Sequence, residues 1–282
     1  MRLYTIKTKD GIFPFVEGLN KTAHKLPFAD MNALIESGSV YEYKHLCNEV
    51  GDTVLADAAI LAPIPQPKQD ILCLGINYAA HAEESARFKK EVFEKDRQYS
   101  VYFSKRVNEA VPDGGTVPYP TVDTQIDYEA ELAFIVSKDA KNVKKENAKD
   151  YVFGYTIIND LSARSLQQRH KQFYYAKSLD GFTPMGPCIV TADEFDFEPQ
   201  LQIRSFVNGE LRQNSNTSLL LAGIGQILED LTEGMTLKTC SIISTGTPSG
   251  VGMGFVPPKF LVPGDEVRCE IDGIGCLTNK FI

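Results

Sequence analysis

Apolar residues recur along the chain in short runs separated by Gly- and Pro-containing turns, and few stretches carry the period of a helix. "ILCLGINY", "SVYFSK", "EAELAFIV", "VFGYTIIND", "PMGPCIVTA", "LQIRSFVNGELR", "CSIISTG" and "EVRCEIDGIGCLTN" read as strands. Within "IRSFVNGELRQ", Asn208-Gly209 is a strong hairpin signal, because both residues accept the positive φ that a two-residue turn demands. Helical patterning is confined to four places. They are a piece around "FADMNALIESG" closed by Gly38, a segment after Tyr78, another after Asp160, and "SLLLAGIGQILEDL" at 218–231. The regular alternation of strand and helix that a doubly wound fold needs is missing. The pattern predicts a mainly β, α+β architecture with a few helices and no internal repeat.

The stretch "APIPQPKQD", residues 62–70, carries three prolines and can continue neither a helix nor a central strand. It divides a small N-terminal domain, residues 1–65, from a larger domain, residues 66–282. Composition adds the class: 43% hydrophobic and 23% charged residues over 282 positions describe a soluble globular chain with a substantial core. A net charge of -8 opposes general nucleic-acid binding, which calls for a basic surface. The opening "MRLYTIKTKDGIF" lacks a signal-peptide core and the longest apolar runs are too short to span a bilayer, so the expectation is a cytoplasmic protein without membrane contact. The six cysteines form no CxxC pair and accompany no His cluster, which leaves reduced, mostly buried thiols.

Candidate chemistry begins in "QIDYEAELAFIV", residues 125–136, where Asp127, Glu129 and Glu131 sit two apart and share one face of a strand. Such a face is either wet or holds a hard divalent cation. Asp160, where "GYTIIND" gives way to a helix-like segment, is either that helix's N-cap or a ligand from a second strand that joins two of those three carboxylates around a divalent ion. In "GINYAAHAEESARF", His81 and Glu84 stand at i and i+3, the spacing of a carboxylate-oriented general base or of a plain polar helix surface. The charged "SARFKKEVFEKDRQ" reads as a mobile lid or a solvated helix. Arg164, Gln167, Arg169, His170, Lys171 and Lys177 form a cationic and amide cluster suited to an anionic substrate, with Arg169 and Lys171 equally readable as solvated surface. The loop "STGTPSGVGMG", 244–254, lacks the spacing of a nucleotide-binding turn, and its small residues admit an oxyanion or simply a tight turn.

In order, "GINYAAHAEE", "DYEAELAFIV", "GYTIINDLSARSLQ", "AKSLDGFTPMGP" and "ISTGTPSGVG" resemble the fumarylacetoacetate hydrolase superfamily over roughly residues 70–282. The resemblance implies a mixed β-sandwich roll, usually a homodimer. It also implies a divalent metal, Mg²⁺ or Mn²⁺, on carboxylates matching Glu129, Glu131 and Asp160. Catalytic residues match His81, Glu84 and Lys177, and substrate contacts match Arg164, Gln167 and Thr247. The bacterial members it looks most like act on oxaloacetate or acylpyruvates, so the expected activity is metal-dependent cleavage of a C–C bond beside a 2-oxo acid. The alternatives are a hydratase or isomerase of the same fold, or a binding protein that has kept it. The chain departs from the family at Ser165, where an acid is usual, at Arg106 and at Gly181.

Overall fold

The computed structural model describes residues 1–89 and 99–282. Its larger layer is an eleven-stranded sheet. From one edge the path runs Thr53–Val54, Thr22–Lys25, Gly11–Glu17, Arg2–Thr8, Met185–Thr191, Val152–Asn159, Ala130–Val136, Ile242–Ser244, Ile71–Gly75 and Val101–Lys105, with Ala59–Leu61 paired to Arg2–Thr8 beside it. Ile242–Ser244 and Ile71–Gly75 run parallel, and the other pairs are antiparallel. A five-stranded sheet of Glu210–Asn216, Gln202–Val207, Glu266–Ile271, Gly275–Phe281 and Thr116–Val117 forms the second layer.

The two layers explain the apolar runs. Every residue of Ala130–Val136 is buried. Leu132, Phe134 and Val136 enter a core shared with Ile203, Val267, Cys269 and Leu277 of the smaller sheet. Ala133 and Ile135 enter a second core with Leu3, Val16, Leu34 and Ile35 from the N-terminal segment. A strand covered on both faces loses in–out alternation and reads as continuous apolar sequence. Each large apolar side chain so buried stabilises the fold by roughly 1.5–3 kcal/mol. These mixed sheets with few helices are the α+β architecture that the patterning predicts.

Local signals behave as the physics requires where they are self-contained. Asn208 and Gly209 take φ of 50° and 80° and close the hairpin of Gln202–Val207 with Glu210–Asn216. Helix Met31–Ser37 starts on Asp30, whose carboxylate accepts from Ala33 N–H, and stops at Gly38 with φ 66°. The helix expected over 218–231 instead spans Ile224–Gly234. Its anticipated first turns are held open by tertiary bonds. Leu221 N donates to Asn77 O and Ala222 N to Asn77 Oδ1, while Asn77 Nδ2 donates to Ala222 O and Thr245 O. Leu219 and Leu221 are consequently 62% exposed instead of facing a helix core.

Candidate metal centre and active-site cavity

Strand register assembles the carboxylates. Ala130 pairs with Asn159 and Glu131 with Ile158, and one step on, Asp160 N donates to Glu129 O at 2.9 Å. Glu129 and Asp160 therefore stand opposite each other, with Glu131 two residues along on the same face as Glu129. Ligand oxygens of Glu129, Glu131 and Asp160 lie within 4.8 Å of one another, and all three residues are buried. The wet face is thereby excluded: Asp127, Glu129 and Glu131 are 0%, 4% and 1% exposed.

Asp127 does not join them. Strand pairing breaks at Tyr128 and Glu129, between Ile126–Asp127, which pairs with Ser162–Ala163, and Ala130–Val136. Two-residue alternation does not carry across the break. Asp127 accepts instead from Arg164 Nε at 2.9 Å and from the N–H groups of Gly252, Met253 and Tyr128 at 2.6, 3.0 and 3.0 Å. Asp160 is likewise not a helix cap. Helix Arg164–His170 begins after Ala163, and its Leu166 N–H donates to Asp123 Oδ2 at 2.9 Å.

Three buried cations hold the carboxylates. Lys177 Nζ lies 2.6 Å from Glu129 Oε2 and 2.5 Å from Asp160 Oδ2. Lys105 Nζ donates to Asp160 Oδ1 at 2.6 Å and to Phe182 O at 2.8 Å. Arg164 Nη2 donates to Glu129 Oε1 at 2.6 Å. Burial alone would raise the Glu129 carboxyl, but Lys177 and Arg164 hold it well below the usual carboxylate range. Burial would lower the Lys177 ammonium, and Asp160 and Glu129 overcome this and raise it. Glu131 has no such partner: Ser244 Oγ donates to Oε2 at 2.6 Å and Gly246 N–H at 3.0 Å. Burial, then Asp160 and Glu129, push its carboxyl well above the usual range.

Four buried carboxylates, Asp127, Glu129, Glu131 and Asp160, thus face three buried cations, Lys105, Arg164 and Lys177. The unbalanced charge sits on Glu131. Three hard oxygen donors with a missing positive charge fit a divalent ion of the Mg²⁺ or Mn²⁺ class. Gly246 makes the approach possible. With φ 92°, it lets its N–H meet Glu131, and an added Cβ would stand 3.0 Å from Asn77 Cβ and 3.1 Å from Leu74 O.

The dyad lies on helix Ala79–Lys89. His81 Nδ1 is 3.3 Å from Glu84 Oε2, and Glu84 Oε1 accepts from Gly250 N–H at 2.9 Å, with both side chains buried. Glu84 thus engages Nδ1, and Nε2 is the imidazole nitrogen that it does not touch. Of the charged segment that follows, residues 90–98 lie outside the described residues.

A cavity of about 730 Å³ joins these groups: its lining includes His81, Glu129, Glu131, Arg164, Gln167, Lys177 and Thr247. Glu84 and Asp160 stand behind that lining, on His81 and on Lys177 respectively. Arg164 is committed to Asp127 and Glu129, and its Nη1 donates to Gln167 Oε1 at 3.2 Å. Thr247 Oγ1 donates to Ala130 O at 3.0 Å and accepts from Gln213 Nε2 at 2.7 Å. Three supporting residues escaped the sequence reading: Lys105, Gln213, which also accepts from Ala130 N at 3.1 Å, and Asp123. Asp123 also hydrogen-bonds Ser165.

Two sheets around a buried three-carboxylate cluster, with a His–Glu pair on the same cavity, define the protein's class, and comparison with known proteins agrees. The fumarylacetoacetate (FAA) hydrolase C-terminal family model matches residues 70–282, and the chain belongs to that family. It is 44% identical over 229 residues to oxaloacetate tautomerase YisK of Bacillus subtilis strain 168, covering 80% of this chain and 74% of that protein. The fumarylacetoacetate hydrolase of the psychrophile Exiguobacterium antarcticum superposes with a TM-score of 0.80 at 35% identity, covering 100% and 99% of the two chains. The 5-carboxymethyl-2-hydroxymuconate delta-isomerase of Mycobacterium smegmatis superposes at 0.77 with 32% identity and the same coverage. Among the described residues no helix is long and apolar enough to cross a membrane.

Proposed function

We propose that the protein is a metal-dependent tautomerase that interconverts the keto and enol forms of a 2-oxo dicarboxylate of the oxaloacetate class. The observation that carries this is the buried His81–Glu84 pair on the same cavity as Glu129 and Glu131. The 44% identity to an oxaloacetate tautomerase supports it. Glu129, Glu131 and Asp160 would hold a Mg²⁺ or Mn²⁺ ion, which when bound supplies positive charge to the oxygens of a chelating 2-oxo acid. Lys177 and Arg164 keep Glu129 ionised and oriented for that task. His81, fixed through Nδ1 by Glu84, takes the proton from C3 of the keto form at Nε2. The C3–H electron pair becomes the C2–C3 double bond, the C2=O π pair moves onto the oxygen, which takes a proton from solvent, and His81 gives the C3 proton up to solvent, so that one proton enters and one leaves. Enol to keto runs the same path backwards. Gln167 and Thr247 bound the substrate beside Arg164. We further propose, from the family resemblance, a homodimer in the cytoplasm, and, from the prolines of residues 62–70 and the family match that begins at residue 70, a chain divided at residues 1–65 and 66–282.

A second reading is cleavage of a C–C bond beside the 2-oxo group, by decarboxylation or by hydrolysis of an acylpyruvate. The cavity favours it: about 730 Å³ leaves room beyond a four-carbon diacid for a longer acyl chain and a water that His81 would activate. One assay separates the readings. Decay of the enol form of oxaloacetate is followed with and without EDTA while pyruvate is measured in the same reaction. EDTA-sensitive loss of enol without pyruvate supports the tautomerase. Pyruvate formed as fast as enol disappears moves the assignment to C–C cleavage, and insensitivity of both to EDTA sinks the metal centre.

A further inference from the structure

Two of the cations that line the cavity are committed to the site's own acids. Arg164 donates to Asp127 and Glu129, and Lys177 to Glu129 and Asp160. The third is Lys171, exposed at the rim beside Gln168, and no acid meets it among the described residues. Its backbone is unusual as well. Lys171 closes helix Arg164–His170 with φ 54° and ψ 20°, the left-handed conformation that glycine adopts freely and a residue with a β-carbon adopts at a cost. The helix dipole does not account for a lysine there, since Arg169 and His170 already supply positive charge in the last turn. A strained residue at a cavity rim, carrying a charge that no described carboxylate answers, points to a ligand.

We propose that Lys171 binds the distal carboxylate of the substrate, so that the site selects 2-oxo acids bearing a second negative charge over their monoanionic analogues. This rests on the reading of the cavity as a 2-oxo acid site and names the feature that such a substrate must carry. The 2-oxo acid end faces the acidic cluster inside, and the far carboxylate meets Lys171 at the mouth. A partly exposed ammonium–carboxylate contact of this kind amounts to roughly tenfold in affinity. The contact adds binding and no chemistry, so its loss raises KM and leaves kcat unchanged.

The test uses an unreactive probe. Wild type, Lys171→Gly, Lys171→Gln and Lys171→Arg are titrated calorimetrically in Mn²⁺ with N-oxalylglycine, a chelating diacid, and with its glycine methyl ester. Wild type and Lys171→Arg should prefer the diacid about tenfold, and the Gly and Gln variants should bind both alike. Lys171→Gly should also melt at a higher temperature than wild type, because glycine relieves the left-handed backbone. A variant that is more stable yet blind to distal charge separates recognition from folding. A tenfold preference that survives in Lys171→Gly overturns the proposal, as does a wild type with no preference that nevertheless tautomerises oxaloacetate. A wild type that shows the preference but does not convert oxaloacetate overturns the reaction and supports the role of Lys171.

Discussion

Replacing Gly254 by alanine tests the dyad without altering either member. Gly254 ends the turn Gly252–Gly254, and Glu84 lies against its α-carbon. A β-carbon built at 254 falls 2.0 Å from Glu84 Oε1, 2.2 Å from Cδ and 2.5 Å from Cγ. Non-bonded heavy atoms rest at about 3.5–4.0 Å, so the carboxylate must retreat by roughly 1.5 Å. Its two ties, Gly250 N–H at 2.9 Å and His81 Nδ1 at 3.3 Å, do not survive a shift of that size. The φ of Gly254 is not in the left-handed region, so alanine meets no backbone strain there and the whole effect runs through Glu84.

A general base contributes about 10²–10⁴ in rate, and a misplacement of about 1 Å costs on the order of 10². Gly254→Ala should therefore lower kcat/KM for oxaloacetate tautomerisation about 10²-fold, or roughly 2.7 kcal/mol of barrier. The rise in Tm on adding Mn²⁺ should be unchanged, because Glu129, Glu131 and Asp160 are untouched. A double-mutant cycle identifies the route: in a Glu84→Ala background the same substitution should cost almost nothing further. Wild-type activity in Gly254→Ala, or an equal loss with and without Glu84, would refute the dyad as drawn.

Glu129→Ala and Asp160→Ala should each abolish the Mn²⁺-induced rise in Tm, since an ion that binds only the native state stabilises by mass action. A rise retained in both would place the ion elsewhere. Lys105→Met leaves Asp160 short of one buried partner and should destabilise by about 3–5 kcal/mol, read as a lower urea midpoint at constant slope. Ion binding should release a proton, because the Glu131 carboxyl is raised in the ion-free site and a ligand carboxylate must be deprotonated. Affinity then rises with pH, and the binding heat changes with the ionisation enthalpy of the buffer. Identical heats in phosphate and Tris would count against it.

The parts of the site legible in the sequence are those whose geometry is local. Glu129 and Glu131 stay on one face because they are two apart, and His81 reaches Glu84 because they are three apart on a helix. The five motifs in order carried the family and with it the fold. Asp127 misled because periodicity assumes an unbroken strand, and the break at Tyr128–Glu129 is imposed by pairing with Ser162–Ala163. Lys105, Gln213 and Asp123 left no trace because their partners are 55, 83 and 43 residues away, and no short-range pattern encodes such contacts. Asn77 hid in the same way: a single amide draws 220–222 out of the helix that composition favours.

The cations of the site and the ion it would hold do different work, and the distinction can be measured. Three ionised carboxylates with ligand atoms within 4.8 Å would repel one another by several kcal/mol per pair, taking about 4 kcal/mol at 4 Å in a medium of effective dielectric 20. Summed over three pairs, that rivals the total stability of a domain, about 5–15 kcal/mol. The chain does not depend on an ion to relieve it. Lys177 bridges Glu129 and Asp160, Lys105 takes the other oxygen of Asp160, Arg164 takes Glu129, and burial beside Asp160 and Glu129 pushes the Glu131 carboxyl up, toward its uncharged form. The ion-free protein should therefore keep its fold. After EDTA its far-ultraviolet and near-ultraviolet circular dichroism should match those of the Mn²⁺ form, while activity is lost and Tm falls. Loss of the near-ultraviolet signal on chelation would show that the ion holds the cluster together and that the lysines do not suffice. Lys177→Met supplies the converse: it removes the bridge, leaves Glu129 with Arg164 alone, and should make folding depend on Mn²⁺ where the wild type does not.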